Sequence, residues 1–139
     1  MKLNDYRVAI VVNPDLSAGY SANTVATLSA GLGARFPLLL GGKLNDAAGL
    51  EIDVSSKLPI AVLQASSETL QQLLAKSAGS SGMQSVVVFP AFARQMHDFN
   101  GYAQQFSQRQ LAQEPLDGIA LCGPAQWVKS LTGALKLLR

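Results

Sequence analysis

The feature that most constrains the fold is a short run of β-branched and small apolar residues near the start of the chain. After Arg7, the run from Val8 to Val12 shows no alternation of polar and apolar side chains, and Asn13-Pro14-Asp15 ends it. A strand that is apolar on both faces needs cover on both faces, which is typical of a sheet packed between helices. The run therefore predicts the central strand of an α/β sheet.

Other short apolar runs predict further strands, because each is rich in valine, isoleucine or leucine and is bounded by loop residues. The predicted strands are residues 7–12, 59–64, 85–89 and 116–122, with a short edge strand in the tail 134–139. Residues 35–58 carry several glycines between short apolar pieces and predict a long loop or a small hairpin. Residues 79–82, Gly-Ser-Ser-Gly, predict a linking turn, because phosphate-binding glycine loops lead into a helix and here a strand follows.

Apolar residues at helical spacing predict helices between these strands. The predicted helices are residues 20–33 capped by Ser21, a segment capped by Ser66 or Ser67, a segment capped by Asp98, and a short segment after Gly123-Pro124. Strands that alternate with helices predict the α/β class. The expected architecture is a three-layer α/β/α sandwich with a mixed sheet of four or five strands, formed by a single domain over residues 1–139.

Two predicted helices have faces that bear on function. The first carries a stripe of small residues, Ala22, Ala26, Ser29 and Gly33, which would let another group approach its backbone closely. The third carries Phe99, Tyr102, Ala103 and Phe106 at helical spacing, and this spacing predicts a face that packs into the core.

Composition excludes several classes of protein. Hydrophobic residues make up 48% of the chain and charged residues 14%, which is the composition of a folded domain with a buried core. The net charge of +2 is small and scattered, so it gives no strong nucleic-acid signal. No apolar run approaches the roughly 20 residues that span a bilayer, and no membrane association is expected. Because Cys122 is the single cysteine and the start of the chain leads into a strand, we expect a cytoplasmic protein.

Two segments resemble the peptidyl-tRNA hydrolase II family. The first, from Val11 to Gly19, is a strand followed by Asp15-Leu16 and a glycine-containing turn into an alanine-rich helix. The second, from Gly123 to Leu138, is a Gly-Pro turn, a short helix and a Thr-Gly-Ala-Leu-Lys-Leu ending. With the order of elements between them, the resemblance covers most of the chain and implies the fold of that family.

The catalytic residues that this resemblance would imply are absent. The hydrolases carry Lys, Gln and His along the first helix, where this chain has Ala22, Ala26 and Ser29, and their Asp-Ala-Gly-x-Thr segment corresponds here to Phe89–Ala93. Ester hydrolysis needs a group that positions or deprotonates water and a charge that stabilises the oxyanion. The chain more closely resembles the bacterial domain-of-unknown-function-two-thousand family, which has the same replacements and the same Thr-Gly ending.

The small residues of the first helix predict a cleft beside it, at the edge where open α/β sheets place ligands. The expected ligand-contacting residues are Asn13, Asp15, Ala22, Ala26, Ser29, Arg94 and His97. Our leading hypothesis is a non-catalytic domain that binds a small molecule or a protein. The alternatives are a hydrolase of an ester or amide that uses relocated residues (Asn13, Asp15, Arg94 and His97), and a structural homo-oligomer that packs through the alanine-rich face.

Metal and thiol chemistry find little support in the sequence. His97 is the only histidine, and with Asp98 beside it the set falls short of three or four protein ligands, so neither a metal nor a cofactor is expected. Cys122 ends a predicted core strand, where free cysteine behaves as a small buried hydrophobe.

Overall fold

The apolar run forms the middle of the main sheet, as predicted. The computed structural model describes residues 2–79 and 82–139. The strands of these residues are β1 Tyr6–Val12, β2 Lys43–Asn45, β3 Glu51–Asp53, β4 Ile60–Gln64, β5 Ser85–Pro90, β6 Leu116–Pro124 and β7 Lys136–Leu137. Five of them form the main sheet, in the order β5-β6-β1-β4-β7. β1 pairs with β4 in parallel and with β6 antiparallel, so the sheet is mixed. The short edge strand predicted in the tail is β7, which pairs with β4.

Four helices are present in the described part of the chain: α1 Ala18–Arg35, α2 Ser67–Ser77, α3 Phe99–Ser107 and α4 Ala125–Thr132. Two predicted caps are confirmed, because Ser66 accepts the Thr69 amide at 3.1 Å and Asp98 accepts the Gly101 amide at 2.7 Å. The predicted cap Ser21 is wrong. α1 begins at Ala18, two residues before the predicted start, and its cap is Ser17, whose hydroxyl accepts the Tyr20 amide at 3.3 Å and satisfies a donor at the helix start.

Alternate residues of β1 pack into two separate apolar clusters, one on each face of the sheet. Val8, Ile10 and Val12 contact the cluster that contains Leu28 and Leu32 of α1. Ala9 and Val11 belong to the other cluster, which contains leucines of α2 and Val128 of α4. The strand is apolar on both faces because both faces are covered.

α1 packs closely against the sheet at Gly118 of β6. A Cβ atom at Gly118 would lie 2.9 Å from Thr24 Cγ2 and 3.0 Å from the carbonyl oxygen of Val11. The predicted small stripe of α1 is not the surface that makes this approach, since Ala22 and Ala26 are exposed. The close contact depends on a glycine in the strand instead of small residues in the helix.

The segment 35–58 contains the small hairpin that was one of two predicted outcomes. β2 and β3 pair antiparallel as a separate two-stranded sheet, and Lys43 pairs with Asp53 at 3.1 Å. The predicted turn at 79–82 is described only at its ends, since Ser80 and Ser81 lie outside the described residues. No helix of the described residues is long and apolar enough to cross a membrane.

The predicted core face of α3 is wrong. None of the α3 residues is buried, and Phe99 is 76% exposed. Tyr102 is half-buried and packs between the rings of Phe92 and Phe106, with centroids 5.6 and 5.7 Å away. Tyr102 and Phe106 therefore make a small aromatic cluster with Phe92, and Phe99 lies outside it.

Candidate functional site

A groove lies between α1 and the chain that follows β5. It consists of two overlapping hollows, of about 490 Å³ and about 610 Å³, that share Thr27, Phe89, Ala93, Met96 and His97. We call it the Arg94 groove, after the charged residue at its polar end. Pockets of a few hundred cubic ångströms are the usual size for small-molecule sites.

One wall of the Arg94 groove is a single face of α1. Tyr20, Asn23 and Thr27 line it, and their spacing of three and four residues places them along one side of the helix. The opposite wall is the short 3₁₀ segment Ala91–Gln95 together with Met96 and His97. This second wall follows directly from β5, so the sheet positions both sides of the groove.

Arg94 is held in place by a carboxylate that comes from the sheet. Its Nε donates to Asp117 Oδ2 at 2.6 Å and its Nη2 donates to Asp117 Oδ1 at 2.5 Å. The Asp117 side chain is 2% exposed, whereas that of Arg94 is 35% exposed. Such a two-bond pair fixes the plane of the guanidinium as well as its position. Arg94 is therefore a preset cationic group at the mouth of the groove.

The hydrogen bonds from Arg94 to Asp117 raise the pKa of Arg94 above its ordinary value, so the guanidinium keeps its proton. The guanidinium carbon also lies 5.4 Å from the centre of the Tyr20 ring, within range of a cation–π contact. Tyr20 is 51% exposed and forms the rim beside Arg94. Charge, aromatic surface and hydrogen-bond donors thus meet at one end of the groove.

The other end of the groove is largely apolar. Leu28, Val87, Phe89 and Phe99 line it, and Met96 contributes a flexible side chain. Burial raises the pKa of Tyr102, which also lines this end, so its hydroxyl stays neutral. The Asp98 carboxylate at the same end caps α3. A ligand here would meet apolar surface along most of its length.

Two of the seven predicted site residues, Arg94 and His97, lie together in the Arg94 groove. Ala22 and Ala26 line a different depression of about 720 Å³, with Leu16, Val25 and Leu138. Ser29 is half-buried and lines neither depression. The structure therefore separates the small residues of α1 from the two charged or titratable residues with which they were grouped.

Asn13 and Asp15 shape the turn after β1. The Asn13 amide donates to the Asp117 carbonyl oxygen at 2.9 Å, and Asn13 Oδ1 accepts the Asp15 amide at 3.0 Å. Neither residue lines the Arg94 groove. Asn13 instead connects β1 to the main chain of Asp117, the residue that holds Arg94.

Neither metal binding nor thiol chemistry has a prepared site in the described residues. His97 is exposed, and no cluster of three or more His, Cys, Asp or Glu residues that could hold a metal is present in residues 2–79 and 82–139. Cys122 is fully buried, and burial raises the pKa of its thiol to about 11. A thiol with that pKa is protonated at neutral pH and is a poor nucleophile.

Sequence reasoning missed Asp117 and the α1 wall of Tyr20, Asn23 and Thr27. The available signal for Asp117 was a lone carboxylate inside an otherwise apolar strand, because a buried charge needs a partner. The signal for the α1 wall was weaker, since polar residues at helical spacing are typical of any exposed helix face.

Comparison with known proteins assigns the family. A family model described as protein of unknown function (DUF2000) matches residues 6–139. The chain belongs to this family. The family membership expected from the helix replacements and the Thr-Gly ending is thus confirmed.

A solved structure shares the fold. It is a protein of unknown function from Agrobacterium tumefaciens, with a TM-score of 0.84 and 23% sequence identity, over 96% of this chain and 97% of the other. At that identity the likeness shows the fold alone. No curated protein matches the chain.

Proposed function

We propose that the protein is a non-catalytic binding domain on a three-layer, peptidyl-tRNA hydrolase II-like scaffold, and that it holds a small ligand in the Arg94 groove. The ligand has an apolar body and a carboxylate at one end. The observation that carries the proposal is the bidentate pair of Arg94 and Asp117 at the polar end of a largely apolar groove.

The polar end favours a ligand rich in hydrogen-bond acceptors. A guanidinium has five N–H donors, and Asp117 takes two of them. Asn23 and His97 line the same hollow as Arg94 and add further polar side chains to it. A carboxylate accepts several hydrogen bonds and matches the planar shape of the guanidinium.

Binding without catalysis is favoured over hydrolysis because of how the polar groups are used. Asp117 is committed to Arg94, Asp98 to the α3 cap, and Cys122 is buried and protonated. An acyl-transfer site needs a nucleophile or a positioned water within hydrogen-bond reach of a base. His97 lines the groove and makes no hydrogen bond to another residue within 2–79 and 82–139.

The test uses octanoate, which has an apolar chain and one carboxylate, and octanamide, which lacks the charge. We expect octanoate to bind the full chain and octanamide to bind at least about tenfold more weakly, since charge-assisted hydrogen bonds are about twice as strong as neutral ones. Calorimetric titration measures both affinities. Equal affinity for the two ligands would show that Arg94 does not bind the ligand carboxylate, and would contradict that part of the proposal.

Two variants at adjacent positions of α1 locate the site. Thr27→Trp fills the Arg94 groove, whereas Ala26→Trp fills the depression beside Leu138, and both positions are exposed. We expect Thr27→Trp to abolish octanoate binding and Ala26→Trp to retain it. The reverse result would move the site to the cleft of Ala22 and Ala26 that the sequence predicted.

A hydrolase is the second candidate, because Arg94 and His97 line the same hollow and could act on an ester or amide. Peptidyl-tRNA incubated with the purified protein measures this directly, beside a genuine hydrolase of the resembled family. Turnover that is lost in His97→Ala would replace the binding proposal with an enzymatic one.

A homo-oligomer is the third candidate, because Ala22 and Ala26 are exposed beside Leu138 in a broad depression. Solution mass of the wild-type chain and of Ala22→Arg tests it. A dimer that Ala22→Arg dissociates would assign the small face of α1 to subunit contact.

A further inference from the structure

β5 lies at an open edge of the main sheet. It pairs with β6 on one side, and in residues 2–79 and 82–139 no main-chain group of Val86 to Phe89 bonds outside that pairing. Natural edge strands are usually protected by charged residues, proline or a covering element. The four residues from Val86 to Phe89 are all apolar, and the protective features of β5 are confined to its end, where the pairing is irregular at Phe89 and Pro90.

The Arg94 groove reaches this edge. Val87, Val88 and Phe89 all line its apolar end, although successive side chains of a strand point to opposite faces of the sheet. A hollow on one face alone would be lined by every second residue. The groove must therefore extend along the edge of β5, where main-chain N–H and C=O groups are available to a ligand.

The far wall of the groove limits what can occupy the edge. Asp98, Phe99 and Tyr102, at the start of α3, line the same hollow as Val87 to Phe89 of β5. Neighbouring strands lie about 4.8 Å apart, so a single extended chain is the smallest unit that could pair with β5. A second copy of the whole sheet would bring far more bulk to an edge that shares its hollow with α3. We therefore consider a single peptide strand.

We propose that the occupant of the Arg94 groove is an extended peptide segment that adds to β5 as a further strand. This inference rests on the proposed function and specifies its ligand. A peptide that runs parallel to β5 ends beside Phe89, where the 3₁₀ segment places Arg94. A peptide in the opposite direction would bring its N-terminal ammonium beside the Arg94 cation, so the proposed peptide is parallel to β5 and ends in a free C-terminal carboxylate, bound by Arg94. The main-chain bonds supply affinity and the apolar wall selects side chains.

The experiment screens random heptapeptides with free C-termini against the full chain and remakes the most enriched peptide in three forms. Two forms carry N-methyl groups on alternate peptide nitrogens, one form on the odd positions and the other on the even positions. Because only every second amide of a strand faces its neighbour, one form loses at least about tenfold in affinity and the other keeps its affinity. The third form, a C-terminal amide, binds several-fold more weakly than the acid.

Hydrogen exchange gives an independent readout on the protein. Bound peptide slows exchange at alternate amides of Val86 to Phe89, whereas a ligand that only fills the groove leaves these amides unchanged. Failure of any peptide to enrich, equal loss in both N-methylated forms, or an enriched peptide that still binds Thr27→Trp would overturn the inference. If octanoate binds and no peptide does, only this inference fails; if neither binds, the proposed function fails as well.

Discussion

The strands β1 and β6 and the segment from Ala91 to Ser107 are held in the molecule in different ways. In β1 six of seven residues are buried, and in β6 eight of nine, whereas no residue of the 3₁₀ segment or of α3 is buried. The segment is attached by a few specific contacts. Arg94 pairs with Asp117, and the Arg109 guanidinium lies 4.2 Å from the centre of the Phe92 ring. Stability therefore resides in the sheet, and the wall of the candidate site depends on individual contacts.

The first way to test this comparison is to cut the main attachment. Arg94→Ala leaves the buried carboxylate of Asp117 without its partner, and we expect a loss of about 3–5 kcal/mol in the free energy of unfolding, the usual cost of an uncompensated buried charge. Asp117→Asn is the matched variant. This variant leaves the Arg94 guanidinium, which water can reach, so the loss in the free energy of unfolding is smaller. Urea unfolding measures both variants. An equal or larger loss for Asp117→Asn would contradict the expected difference between the buried carboxylate and the exposed guanidinium.

The second test uses the buried thiol of Cys122 in β6 to report on unfolding of the interior of the sheet. The Cys122 thiol has its pKa raised from about 9 to about 11 by burial, so the folded protein holds a proton that the unfolded chain releases above pH 9. The contribution to stability is complete below pH 9 and is lost as the pH rises toward 11. Relative to Cys122→Ala, wild-type stability falls over that range by about 3 kcal/mol, since each pKa unit corresponds to about 1.4 kcal/mol.

The control for this prediction is the same pair of proteins below pH 8, where the difference between them stays constant. Urea unfolding at a series of pH values measures it. Opening of the segment from Ala91 to Ser107 alone does not expose Cys122, so it cannot produce the alkaline loss. Parallel stability curves for wild type and Cys122→Ala up to pH 11 would show that water already reaches the thiol in the folded protein.

The third test compares two glycines of the same helix–sheet unit. Gly118→Ala adds a methyl group that meets the Val11 carbonyl oxygen at 3.0 Å and Thr24 at 2.9 Å, and we expect a loss of about 2 kcal/mol. Gly19→Ala adds the same group where nothing lies within 4 Å, and a gain of up to about 1 kcal/mol is expected. Thermal unfolding of the two variants measures both effects. Equal effects would show that both α1 and the main chain of β1 can shift away from Gly118.

These expectations reflect how far the sequence alone could lead. The run from Val8 to Val12 predicts the central strand because covering both faces of a strand is a requirement that composition expresses directly. Ser66 and Asp98 each cap a helix through an amide three residues further on, so the neighbouring sequence is enough to predict both caps. Ser17 was missed in favour of Ser21 because both are serines close to the start of the same apolar periodicity, and the turn formed by Asn13 decides between them.

The site was harder to predict because it is not local. Arg94 and Asp117 are 23 residues apart, and only the pairing of β5 with β6 brings them together. Helical spacing placed Phe99 in a core, although no residue of α3 is buried and the Phe99 ring is 76% exposed. Periodicity shows which residues share a face of a helix. It does not show whether another element covers that face.

The smallest expected effect on stability is at the rim of the groove. Phe99→Ser removes a ring that is 76% exposed, and the free energy of unfolding should change by less than about 0.5 kcal/mol, as at other surface positions. Octanoate affinity should fall several-fold, because Phe99 lines the apolar end of the Arg94 groove. Met83→Ser is the control, since Met83 is 41% exposed and does not line the groove, and neither quantity should change. A Phe99→Ser variant that loses stability and keeps its affinity would reverse the comparison, because α3 would then support the fold and contribute nothing to the site.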